Sequence, residues 1–303
     1  MSTETTDTPP TPPPALHLNF RRGTVFMLLS LACFTTNSLL LNHFSAQRHI
    51  DPWVSMTFRF AIGLVITFGL FAPSGSLKIG RCFTGWLMAS RGVLGALGTA
   101  AYYCSVGPLG AGKATLIGNT WCVFAAILAA LTLGEKLSTR KVLGIAVVFG
   151  GLSLLTKISP WTLSEAGQGE VIALTGAVLA AAVVVVIRQL TRTETSATIF
   201  ASQCVYGLML AAPLAVSHFG SLVPHDYVLL AIAALAAGFG QLAMTEGFRF
   251  LSVTAGSAFQ MTLPLIISLG GVVFFAEHFT ALQIVGGLLI LAGSYQVVVK
   301  SGK

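Results

Sequence analysis

Ten apolar stretches, each about as long as a bilayer is thick, follow one another from Thr24 to Val299 and govern what this chain can become. A helix needs about 20 mostly apolar residues to cross the hydrocarbon core, where an unsatisfied backbone group costs several kcal/mol. Reading the runs between charge clusters and turn signals places spans at 24–43, 53–72, 83–106, 111–133, 141–156, 170–187, 197–217, 227–245, 251–276 and 280–299. The fifth is short, and Arg140 and Lys141 at its end can snorkel to complete it. Residues 171–187 and 255–276 hold no charge, whereas a soluble core helix shows a polar face with a 3.6-residue period. Of the 303 residues 9% are charged, against roughly 25% in soluble domains, so a water-soluble fold is excluded. The predicted class is an all-α membrane protein of ten transmembrane helices.

The net charge of +7 would suggest nucleic acid in a soluble protein, but here it follows the spans. With the N-terminus inside, one set of connections carries Arg21, Arg22, Lys78, Arg81, Lys136, Arg140, Lys141, Arg188, Arg192, Arg249, Lys300 and Lys303; the other carries Arg48, Lys113 and Lys157. By the positive-inside rule this alternation supports ten spans with both termini cytoplasmic. The expected partners are therefore membrane lipid and a small molecule, with no nucleic acid; a homodimer stays open. Residues 1–22 hold five prolines and little aliphatic surface, and read as a disordered cytoplasmic tail. Ser30-Leu31-Ala32-Cys33 faintly resembles a lipoprotein cleavage box, but the apolar run continues to Leu41 and reads as an uncleaved first helix. The five cysteines are odd in number, form no CxxC pair and read as packing residues.

The chain also repeats itself at an offset of 142 residues. Gly98, Ala101, Leu109, Thr120, Glu135, Gly144 and Gly151 recur as Gly240, Ala243, Leu251, Thr262, Glu277, Gly286 and Gly293. Five helices, an odd number, separate the copies, so the second copy enters the membrane from the opposite side: two inverted five-helix repeats. Repeat 1 is assigned to 23–157 and repeat 2 to 169–299, with an external linker at 158–168 and a cytoplasmic tail at 300–303. The matched glycines have a plain use, letting backbones approach where lipid offers no hydrophobic drive for association.

Asp51-Pro-Trp-Val with Phe58-Arg59-Phe60, Tyr102-Tyr103 through Thr115, and Leu133-Gly134-Glu135-Lys136-Leu137 before Gly144 form one ordered set of motifs. Phe259 through Pro264, Phe275-Ala276-Glu277-His278 and Gly286 form a second. Together the halves resemble the paired EamA-type domains of the drug/metabolite transporter superfamily. That resemblance implies a bacterial inner-membrane protein with a central cavity lined by the first four helices of each half, the fifth and tenth lying outside. It also implies secondary transport, as exporter, facilitator or exchanger, of a small organic metabolite such as an amino acid, by alternating access. One departure stands out: the proline common in the fourth helix is Cys122 here, while Pro264 keeps it in the ninth.

Candidate substrate-binding residues follow from polarity inside the spans. A buried ionisable group costs about 2.5 to 3.5 kcal/mol on insertion scales and so faces protein or water. Arg59 and Arg91 meet that description; they hold an anionic substrate or gate it, or else pair structurally or snorkel. Asn37, Asn119, Gln203, Gln241 and Gln260, with Tyr103 and Trp121, supply hydrogen bonding and aromatic walls, or else glue helices together. Glu135, Glu246 and Glu277 lie at helix ends and read as solvated or cap-pairing, and the scattered histidines as incidental. With no carboxylate near the middle of any span, transport by facilitated diffusion or exchange is expected. An intramembrane enzyme, or a membrane-embedded receptor or scaffold, is the competing reading; the chain has no HExxH, no paired intramembrane aspartates and no phosphate loop. Neither metal nor cofactor is expected.

Overall fold

The computed structural model describes residues 20–133, 138–156, 167–190, 193–251, 256 and 259–299. Outside them lie most of the tail, Glu135, Lys136, Lys157, most of the linker, Arg192, Lys300, Lys303 and part of the ninth predicted span. Among the described residues there is no strand. The helices are α1 (Phe20–Ala46), α2 (Pro52–Phe71), α3 (Trp86–Leu109), α4 (Ala111–Gly118), α5 (Trp121–Leu133), α6 (Thr139–Thr156), α7 (Gln168–Leu190), α8 (Ser196–Ala215), α9 (Pro224–Phe250), α10 (Leu263–Phe275) and α11 (Ala281–Val299).

Local sequence explains where several of them start. Asp51 accepts the Trp53 N–H at 2.8 Å ahead of Pro52, and Thr195 accepts the Thr198 N–H at 3.2 Å, each satisfying an orphan donor at a helix N-terminus. Asp226 accepts the Val223 N–H at 3.0 Å to open α9. The tight join of α3 to α4 rests on Gly110, whose φ of 79° a side chain rarely tolerates.

Seven helical stretches are long and apolar enough to cross a membrane: α1, α2, the α4–α5 stretch, α6, α7, α8 with its following 3-10 turn, and α9. α10 and α11 are shorter apolar helices. α3 has the length, 24 residues, but its Gly, Ala, Ser and Tyr content with Arg91 makes it less apolar, as befits a helix that faces the interior. Large apolar side chains such as Val65, Leu131, Met209 and Phe274 stand exposed on the outside, a face suited to lipid and not to water. The protein is an integral membrane protein.

The fourth predicted span differs from expectation in being two helices. α4 ends at Gly118 and α5 begins at Trp121, although no proline intervenes. The Thr120 hydroxyl donates to the Ile117 carbonyl at 2.7 Å and Cys122 Sγ to the Asn119 carbonyl at 3.3 Å, so local side-chain bonding supplies the break. In the ninth span Thr262 Oγ1 donates to the Phe259 carbonyl at 2.7 Å at the matching break.

α1 packs on α9, α3 on α7, α2 on α8 and α9, α3 on α8, α10 on α1 and α4, and α6 on α11. The last pair crosses at glycine. A Cβ on Gly151 would lie 2.6 Å from the Gly286 carbonyl, one on Gly286 2.6 Å from the Gly151 carbonyl, and one on Gly293 2.7 Å from the Gly144 carbonyl. Such contact replaces side-chain interdigitation with direct backbone dispersion.

Candidate functional site

Small residues of α3 and α7, among them Gly98, Gly176, Ala177 and Ala180, leave the middle of the bundle unfilled. Two compartments of about 420 and 440 Å³ result, sharing walls at Tyr102, Trp121 and Leu263. Asn37, Arg59, Arg91, Tyr103, Gln203 and Gln241 line the first, Asn119 and Gln260 the second, and Trp121 both. The structure thus brings together all nine residues singled out from the sequence, contributed by α1, α2, α3, α5, α8, α9 and the two helix breaks.

Arg91 is the most constrained of them. It is 6% exposed, and its Nη2 donates to Gln203 Oε1 at 2.8 Å. The Gln203 amide nitrogen in turn donates to the Gly95 carbonyl at 3.2 Å and to Thr99 Oγ1 at 3.1 Å, which fixes the side chain that receives Arg91. Gly95, one turn along α3, makes room: a Cβ there would lie 2.2 Å from Arg91 Nη1. Nε and Nη1 of Arg91 are buried without a partner.

Arg59 meets a different set. Its Nη1 donates to the Tyr103 hydroxyl at 3.3 Å, and its guanidinium carbon stands 5.7 Å from the centre of that ring, a cation–π distance. The Tyr103 hydroxyl donates to Asn37 Oδ1 at 3.3 Å. Beside it the Tyr102 hydroxyl contacts Ser38 Oγ at 2.8 Å and Thr115 Oγ1 at 3.0 Å, partners that ordinary apolar periodicity had hidden. No Asp or Glu lines either compartment among the described residues, so Arg59 and Arg91 set the sign of the field inside.

The amides divide between cavity wall and glue. Asn119 Nδ2 contacts Met261 Sδ at 3.5 Å, so the positions related by the 142-residue offset touch at the two breaks. Gln260 Nε2 reaches Ser30 Oγ at 3.4 Å and Met27 Sδ at 3.6 Å, tying the second break to α1.

Charged groups close the ends of the bundle. At one end Arg48 forms a two-pronged pair with Asp226, at 2.9 and 3.0 Å; at the other Arg81 pairs with Glu194. Glu277 pairs with the first turn of α4, as a capping residue does, but it is not solvated as the alternative reading had it. It is half-buried, accepting from Asn42 Nδ2 at 2.9 Å and from the Gly112 N–H at 3.2 Å, and so joins the α10–α11 loop to α1 and to the start of α4. Burial pushes its carboxyl above the ordinary carboxylate value, against the lowering pull of these donors and of Lys113. Its burial was illegible locally because the glycines that admit it, Gly110, Gly112 and Gly271, come from two distant segments.

Comparison with known proteins places this architecture. The model of the EamA-like transporter family matches residues 21–157 and 167–299. Pseudopaline exporters CntI of two Pseudomonas aeruginosa strains, UCBPP-PA14 and PAO1, are each 27% identical over 276 residues, covering 89% of this chain and 94% of theirs. A solved crystal structure 16% identical in sequence shares the fold, with a TM-score of 0.64 over 94% of this chain and 100% of its own. The chain, a transporter and not an enzyme, belongs to the EamA-like transporter family.

Proposed function

We propose that this transporter carries a small organic metabolite with an anionic group, such as an amino acid or a related compound, as an exporter, facilitator or exchanger working by alternating access. The observation that carries the reading is the internal cavity whose charged lining side chains, among the described residues, are Arg59 and Arg91. Cations held in a low-dielectric cavity without carboxylates favour a carboxylate-bearing cargo, which a guanidinium can grip with two parallel hydrogen bonds. The relatives' role as exporters favours outward movement.

Alternating access calls for two opposed halves, and several contacts support an inverted repeat of 23–157 and 169–299. Under the 142-residue offset the close pair Gly98 and Gly176 maps onto Gly240 and Phe34, and the pair Gly144 and Gly293 maps onto Gly286 and Gly151. The breaks at 119–120 and 261–262 map onto each other as well. The alternation of basic residues favours cytoplasmic termini, and the bacterial relatives favour the inner membrane.

The test is counterflow in liposomes loaded with unlabelled amino acids, following entry of labelled ones. Losing a hydrogen bond to a charged group costs about 1.5 to 3 kcal/mol, so Arg59→Leu and Arg91→Leu should each lower exchange about 10- to 100-fold while the protein still inserts. Normal exchange by both variants would remove the arginines from the cargo site.

A further inference from the structure

Arg91 keeps two nitrogens unmatched where this is costly. A guanidinium that is 6% exposed, with Nε and Nη1 lacking any partner, is held by Gln203 and the Gly95 notch at the wall of a compartment that no carboxylate lines among the described residues. Buried charges are normally paired and hydrogen-bonded throughout. Arg59 lines the same compartment, but its anchors are Tyr103 and, through it, Asn37. The two guanidiniums therefore have separate seats. Gly95, which houses one, and Tyr103, which holds the other, lie about two turns apart on α3. A carboxylate has two oxygens, and a guanidinium fork engages both. A cargo with one negative charge would leave the other arginine uncompensated within the same compartment.

We propose that the cargo carries two anionic groups at opposite ends of a short carbon chain, one seated at Arg91 and Gln203 and the other at Arg59 and Tyr103. This rests on the anionic-cargo reading above and narrows it to a dicarboxylate or a similarly spaced dianion. Tyr102, Trp121 and Leu263, which line the same compartment, suit a carbon chain better than a third charge.

The probes are glutarate, adipate and pimelate, with hexanoate and adipamide as singly charged and neutral counterparts, titrated calorimetrically into the purified wild-type protein. At least one dicarboxylate should bind tenfold or more tightly than hexanoate. Arg59→Leu and Arg91→Leu should each bring that dicarboxylate down to the level of hexanoate, and Arg91→Lys, which keeps the charge but not the fork, should fall between. The wild-type series decides the matter even where a variant does not fold. Equal binding of hexanoate and every dicarboxylate, weakened in both leucine variants, would overturn the two-anion proposal and leave the anionic reading intact. Adipamide binding as well as adipate, with the arginine variants unchanged, would overturn both. Failure of all three dicarboxylates to bind would overturn the two-anion proposal by itself.

Discussion

Gly95 is one of several glycines at the site and among its most consequential residues. Its missing side chain is the space that Arg91 Nη1 occupies, 2.2 Å from where a Cβ would stand, and Gln203 packs against the same spot. Gly95→Ala should expel the guanidinium from its seat. Because alanine is the better helix former by up to about 1 kcal/mol, the helix itself does not suffer. The expected result is a loss of transport at least as large as that of Arg91→Lys, with thermal stability in detergent close to wild type; wild-type transport would mean that Arg91 does not act from this position. Arg59 and Arg91 were legible in the sequence because charge inside an apolar run is conspicuous. Gly95 was visible only as one glycine in a run with Gly92 and Gly98, since which helix face it occupies and what fills its space are set by α8.

At the scale of elements, the helix breaks and the loops that seal them carry the information. The Asn119–Thr120 break was hidden by Cys122 standing where a proline was expected, and it forms through hydroxyl and thiol bonding to carbonyls instead. Glu277 joins three such elements. Its folded-state carboxyl lies above the ordinary value, so between the two values the folded protein binds more protons than the unfolded chain, and stability falls as pH rises through that window. Below the ordinary value the contribution is fully present. Glu277→Gln keeps an acceptor for Asn42 and Gly112 but cannot ionise. Melting curves from pH 4 upward should therefore show the wild type losing stability relative to this variant across that window, and parallel curves would refute the shift.

For the whole molecule, orientation is the open physical quantity, and Ser221 reports on it. Ser221 ends the exposed 3-10 turn between α8 and α9. In a background freed of the native cysteines, Ser221→Cys should react with an impermeant thiol reagent from outside intact cells, and Thr84→Cys, in the exposed segment between α2 and α3, should react only after permeabilisation. The reverse pattern would invert the topology.

By itself the sequence determined the all-helical membrane class, the approximate positions of the spans, the 142-residue repeat and the polar residues available inside. Those features follow from local rules: a bilayer excludes unsatisfied backbone, and side-chain transfer costs are read one residue at a time. Only the tertiary structure decided that nine polar and aromatic residues from six helices and two helix breaks meet at two adjoining compartments, that Arg91 is seated with two nitrogens unpartnered, and that Glu277 is inserted between helices. Each of these depends on contacts between residues as much as 235 positions apart, as for Asn42 and Glu277. Which groups end up facing one another across such distances is settled by the packing of the whole bundle, where small residues permit close approach and their neighbours inherit the space.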